Sequence, residues 1–174
     1  VKEYEGVRQF ASGPDRLWYA VASAIAGALV KTKDYKKAIP LLRNAVGLAP
    51  DAYGKRVSSA MLISVYDAAG DIDQSIAATK TFLQDFPNAK EVGGLYAKLI
   101  KRLVKRGQIE EAKGFADKYL KMSNVPLAKR LGIASEVGQA LMGLEKYAEA
   151  QAFLKFLRDK GDGTVEIAVR DEGP

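Results

Sequence analysis

Four short stretches of this chain repeat one another at a nearly fixed interval, and no other feature limits the possible folds so strongly. They are Lys33-Asp34-Tyr35-Lys36-Lys37-Ala38, Gly70-Asp71-Ile72-Asp73-Gln74-Ser75, Gly107-Gln108-Ile109-Glu110-Glu111-Ala112 and Glu145-Lys146-Tyr147-Ala148-Glu149-Ala150. Their last residues lie 37, 37 and 38 positions apart. A constant period of this length marks a stack of similar units, none of which can bury its apolar face alone. Each unit opens with a long segment carrying apolar residues at helical spacing. A short break of Gly or a polar residue follows, and in each unit an acidic or amide residue is then expected to cap a second helix. A bulky apolar residue at Tyr35, Ile72, Ile109 and Tyr147 is expected to fill the wedge between units. Three positions later a small residue, at Ala38, Ser75, Ala112 and Ala150, lets two helix backbones approach closely. Pro50, Pro87 and Pro126 fall where second helices end, because proline cannot continue a helix. The pattern predicts helix pairs over 15–32 and 35–48, 52–69 and 72–85, 88–106 and 109–122, and 125–143 and 146–159.

Gly107-Gln108-Ile109-Glu110-Glu111-Ala112 and the run from Asp34 to Pro50 resemble the tetratricopeptide repeat family, in which a Gly-x-hydrophobic-x-x-Ala turn joins two antiparallel helices and a proline closes the unit. The resemblance implies an all-α, right-handed superhelical solenoid of antiparallel helix pairs. It divides the chain into a lead-in over 1–14, repeats at about 15–50, 51–87, 88–124 and 125–160, and a tail over 161–174. The sequence departs from the family in several places. The period exceeds the usual ~34 residues by about three, Ser75 replaces Ala, Lys33 and Glu145 replace the turn glycine, and Pro40 lies inside a predicted helix that it is expected to bend. The link Phe82-Leu83-Gln84-Asp85-Phe86-Pro87-Asn88-Ala89 is similar to repeats of bacterial cell-envelope proteins of the Tol–Pal-associated kind. That resemblance suggests a bacterial adaptor in the periplasm or envelope, with the cytoplasm as the alternative. In the tail, Val165, Ile167 and Val169 alternate with polar or small residues, which is a strand pattern. The run to Pro174 is similar to the strand and Asp-x-Gly-x-Gly turn of sensor-kinase ATP-binding domains, whose adenine contact would fall on Asp171. The second glycine and the Asn-bearing helix of that family are missing, so no ATP site is expected.

Composition narrows the function. The chain has no Cys and no His, which excludes a thiol nucleophile, a Ser-His-Asp triad and a thiolate or imidazole zinc site. Asp71/Asp73 and Glu110/Glu111 sit at helix starts, where carboxylates cap free N–H groups rather than hold a metal. No catalytic residue, metal or cofactor is therefore expected. Lys plus Arg number 27 against 21 acidic residues, for a formal charge of +6. The charge is interleaved along the chain, so nucleic acid is disfavoured as a partner. The longest apolar run, Leu17 to Val30, is too short to cross a bilayer and is read as a buried helix. The start at Val1 reads as a processed, trimmed or partial chain.

By analogy of register, the first helix of each pair lines a concave face. On that face the resemblance places Lys31, then Met61, Ser64 and Asp67, then Lys98, Lys101 and Lys105, and finally Glu136 and Gln139. Lys98, Lys101, Arg102 and Lys105 share one helix face opposite Leu95, Leu99 and Leu103, giving an electropositive strip. The implied function is a non-catalytic scaffold that binds a protein or peptide segment in this groove, where the lysines would favour acidic character. The alternatives are a self-assembling structural protein, a regulatory repeat domain of a larger enzyme or sensor, and an RNA-binding helical repeat. The family's two-carboxylate clamp is not expected, because Asn44, Asn88 and Asn124 all fall outside the predicted groove positions. Glycines at 27, 93, 94, 114, 132 and 138 lie inside predicted helices, which implies either close helix contact or a bare groove floor.

Overall fold

The computed structural model describes residues 14–160, and these are helical throughout apart from the turns that join the helices. The helices are α1 (Pro14–Lys31), α2 (Tyr35–Leu48), α3 (Ala52–Ala69), α4 (Ile72–Asp85), α5 (Val92–Lys105), α6 (Ile109–Leu120), α7 (Leu127–Met142) and α8 (Tyr147–Lys160). They match the predicted pairs. The largest displacement is at α5, expected from 88 and found from Val92, because a turn follows Pro87 in which the Ala89 N–H donates to the Phe86 carbonyl at 3.1 Å. α2 runs unbroken through Pro40. The expected lead-in, apart from Pro14, and the tail with its strand pattern and Asp171 lie outside the described residues.

All four hairpins turn in the same way. One residue adopts a left-handed backbone: Lys33 (φ 61°), Gly70 (φ 75°), Gly107 (φ 72°) and Glu145 (φ 59°). The next residue's N–H then reaches back five positions to a carbonyl of the preceding helix. The bonds are Asp34 to Leu29 (2.9 Å), Asp71 to Tyr66 (2.9 Å), Gln108 to Leu103 (2.9 Å) and Lys146 to Leu141 (3.0 Å). This is the Schellman closure, and it satisfies a carbonyl the helix end would otherwise leave open. The sequence break therefore has one geometry whether or not glycine fills it.

The helices after the turns start with the expected side-chain cap at α2 and α4 but not at α6, and at α8 the capping place holds Lys146, which has no side-chain acceptor. The Asp34 and Asp71 carboxylates accept from the Lys37 and Gln74 N–H groups, each at 3.3 Å. Gln108 has almost the same backbone angles (φ −83°, ψ 58°) but makes no side-chain cap bond. Glu110, also expected to cap, instead pairs with Lys146.

The helices fall into two compact units, Val1–Ala89 with α1 to α4 and Lys90–Pro174 with α5 to α8. In each unit consecutive helices pack together. The small residues do what their spacing implied: Ala38, Ser75, Ala112 and Ala150 are all fully buried. Ser75 keeps its hydroxyl satisfied by donating it to the Asp67 carboxylate. The first unit's core gathers Ala26, Ala38, Leu42, Leu62, Val65 and Tyr66. In the second, α5 packs on α6, and Leu99, Ile100 and Leu103 of α5, Ala112, Ala116 and Tyr119 of α6, and Ile133, Val137 and Leu141 of α7 are all buried. The bulky wedge residue behaves differently at the last turn. Ile109 is 6% exposed, but Tyr147 is 65% exposed, because no further hairpin follows α8 among the described residues.

Candidate partner-binding cleft

The second unit carries a cleft of about 520 Å³ between α5, the end of α6, the α6–α7 link and α7. Gly93, Gly94 and Ala97 contribute from α5 and Gly132 and Ile133 from α7, while Asn124, Val125 and Pro126 close one end. Lys90, Lys101 and Lys129 stand around it, and neither an arginine nor a carboxylate is among its lining residues. Its base includes Tyr119, which is only 1% exposed. Burial raises the Tyr119 phenol above its usual range, an effect opposed by the charge of nearby Arg130. The Arg130 guanidinium is fixed by donating Nη1–H to the Leu120 carbonyl at 3.1 Å.

The glycines separate into the two kinds the sequence left open. A Cβ built on Gly93 would lie 3.0 Å from Val125 Cγ2, so this glycine serves the close approach of the α6–α7 link, whereas one on Gly138 would make only an ordinary contact with Phe153 Cβ at 3.5 Å. A Cβ on Gly94 or Gly132 would meet nothing within 4 Å, which leaves these two as bare floor.

The first unit has a shallower, mostly apolar hollow of about 400 Å³, lined by Val30, Tyr35, Ala60, Met61, Ser64, Val65 and Ala68. Its one hydroxyl on α3, Ser64 Oγ, donates to the Ala60 carbonyl at 3.1 Å.

The predicted groove residues are thus placed unevenly. Lys101 lines the cleft and pairs with Glu136 across α5 and α7, Nζ to Oε2 3.4 Å. Gln139 Nε2 donates to Ser135 Oγ one turn away, at 3.2 Å. Lys98 and Lys105 are exposed on α5 but do not line the cleft. Met61 and Ser64 share the first unit's hollow, Asp67 is half-buried against Ser75, and Lys31 is exposed at the end of α1. Sequence reasoning missed Lys90, Tyr119, Asn124 and Lys129. Asn124, read as outside the groove, lines the cleft because the α6–α7 link folds over it. Tyr119 has the helical spacing of a core residue and is one, yet it also forms the base of the cleft. The available signal was Lys129, one helical turn before the bare Gly132.

No family model matches this sequence, and no curated protein matches it. Solved structures do. The nearly identical TPR-like repeats of the kinesin-light-chain type from Podosopora anserina align with a TM-score of 0.56 at 18% identity, covering 85% of this chain and 77% of theirs. BtubC (BKLC) from P. vanneervenii aligns with a TM-score of 0.56, also at 18% identity, covering 95% of this chain and 72% of its own. The fold is a TPR-like helical repeat. At this identity the likeness is one of architecture, and the TPR-like hairpins differ from one another here in what their exposed faces carry. No helix among the described residues is long and apolar enough to cross a membrane.

Proposed function

We propose that this TPR-like chain is a non-catalytic scaffold whose repeat region, residues 15–160, binds a protein or peptide segment of acidic character on the face built by the first helix of each pair. The observation that carries the reading is the cleft between α5 and α7: a concave space with a glycine floor, three lysines and no carboxylate in its lining. Bare glycine lets a partner's backbone approach closely, and the ammonium groups favour carboxylates over cations and give electrostatic selectivity. The apolar hollow around Met61 supplies a second place for side chains on the first unit.

The test is capture of partners by crosslinking from native lysate. One bait is the full chain and the other carries Lys90→Glu, Lys101→Glu and Lys129→Glu, with helicity checked by circular dichroism. A protein captured by the first and lost with the second supports the cleft. Identical capture by both overturns it.

One observation favours a second reading, self-association. Tyr147 occupies the place that Ile109 fills between hairpins, yet stands exposed together with Leu144. A second copy packed there would bury both. Sedimentation equilibrium over a hundredfold range of concentration decides: a constant monomer mass rejects this reading.

A further inference from the structure

The cleft's chemistry is more specific than a general liking for acids. Lys101 is partly neutralised by Glu136 at 3.4 Å. Lys90 and Lys129 have no ion-pair partner among the described residues, which leaves two uncompensated positive charges facing one space. Tyr119 is almost completely buried, yet its hydroxyl has no hydrogen-bond partner among the described residues. It also differs from Ser23 Oγ and Arg130 Nε, which are sealed from solvent without a partner. Tyr119 is itself among the residues that line the cleft. An unpartnered buried hydroxyl and two lone ammonium groups in the lining of one cleft are the donors an anion needs.

The kind of anion follows from the donors. The planar fork of arginine, which suits carboxylate and phosphate alike, is absent from the lining, so charge and acceptor number discriminate between them, and a carboxylate carries only one charge. A phosphate monoester carries about −1.5 to −2 at neutral pH and has three strong acceptor oxygens. Compact ammonium point charges that approach it from several sides suit it, and two lone lysines match its charge. At about 520 Å³ the space is larger than one phosphate group and falls within the range of built ligand sites. It can take a modified side chain together with a stretch of backbone laid on Gly94 and Gly132.

We propose that this cleft is a subsite for a phosphorylated side chain of a docked peptide, with Lys90, Lys101 and Lys129 supplying the charge and the Tyr119 hydroxyl donating a hydrogen bond to a phosphate oxygen. The inference rests on the scaffold reading and names the chemistry of its partner.

The experiment is an amide NMR titration of the full chain with N-acetyl-phosphoserine amide, at constant ionic strength, against N-acetyl-glutamate amide. The expected result is saturable shifts at the Gly93, Gly94 and Gly132 amides with the phosphoserine compound, and weaker binding of the glutamate compound. Lys90→Gln with Lys129→Gln should abolish saturation. Tyr119→Phe, which keeps the buried ring, should weaken binding by about tenfold, as expected for a lost hydrogen bond to a charged group. Equal or tighter binding of the glutamate compound overturns the phosphate assignment, as does the absence of saturable shifts at these amides or their survival in the lysine double variant. If these shifts fail while the crosslinking bait still loses its partner on charge reversal, only the phosphate assignment falls. If they appear but no partner depends on the cleft, the scaffold reading falls instead.

Discussion

Replacing Lys33 or Glu145 by glycine should make the protein more stable, although it removes side chains from the surface. Both residues hold the left-handed turn that Gly70 and Gly107 hold in the other two hairpins. That backbone costs a residue with a Cβ about 1–2 kcal/mol. Glycine avoids the clash but loses about 0.5–1 kcal/mol more conformational freedom on folding. Neither side chain makes an ion pair or hydrogen bond among the described residues, so no contact is lost. The difference is a gain of about 0.5–1 kcal/mol per site. For a chain of this size that corresponds to about 1–4 °C in thermal midpoint. The assay is urea unfolding followed by helical circular dichroism, on Lys33→Gly, Glu145→Gly and the pair, with Lys33→Ala and Glu145→Ala as side-chain controls. The alanine variants should lie near the parent. Gly70→Ala and Gly107→Ala should lose what the reverse changes gain. A lowered midpoint in either glycine variant, with its alanine control unchanged, would refute the account of the turns.

Other predictions follow the same residues. Gln108→Asp should add the cap that Asp34 and Asp71 already provide on nearly identical backbone, for a gain of about 0.5–1 kcal/mol in urea unfolding, whereas Asp71→Ala should cost about 1 kcal/mol. Gly132→Ala should gain up to about 1 kcal/mol of helix stability because its Cβ enters open space, and the same substitution should weaken ligand binding in the cleft. Gly93→Ala, by contrast, pushes on Val125 at 3.0 Å and should destabilise α5 against the α6–α7 link, read by hydrogen exchange of the Val125 amide. Bonding to Lys146 holds the Glu110 carboxyl below its ordinary 4.5 and raises the Lys146 ammonium above its ordinary 10.5. The carboxylate's contribution is present above the usual glutamate range and fades as pH falls through the lowered value. The ammonium's contribution is present below the usual lysine range and fades as pH rises through the raised one. Stability should therefore be flat between these limits, and Glu110→Gln should remove part of the acid-side decline.

The repeat grammar was legible because it is written in local chemistry. Left-handed turns, aspartate caps and small buried residues are properties of a few consecutive positions, and a period of 37 exposes them by repetition. The cleft was legible only in part. Lys101 and Glu136 sit on first helices, where register analogy reaches them. Lys90 and Asn124 sit in links whose path the period does not fix. Tyr119 belongs to a second helix, and its burial and its place in the cleft come from the same packing. Tyr147 shows the converse: the sequence assigns it an inter-hairpin role, but its exposure depends on what lies beyond α8.

Glu110 and Lys113 of the third hairpin meet Lys146 and Glu149 of the fourth at the same offset of 36 residues. The signs run acid–base on one hairpin and base–acid on the other. All four groups are substantially solvated, so such pairs add little to stability. Their value lies in bookkeeping of order. Were the third hairpin of a second molecule to dock where the fourth belongs, the turn register of 38 residues would put Gln108 and Glu111 in the places of Lys146 and Glu149, and the pair made by Glu110 would be lost. A chain of similar modules is prone to this mistake. The Glu110–Lys146 pair thus tells the next hairpin from a copy of the same one, by one contact that only the correct neighbour makes.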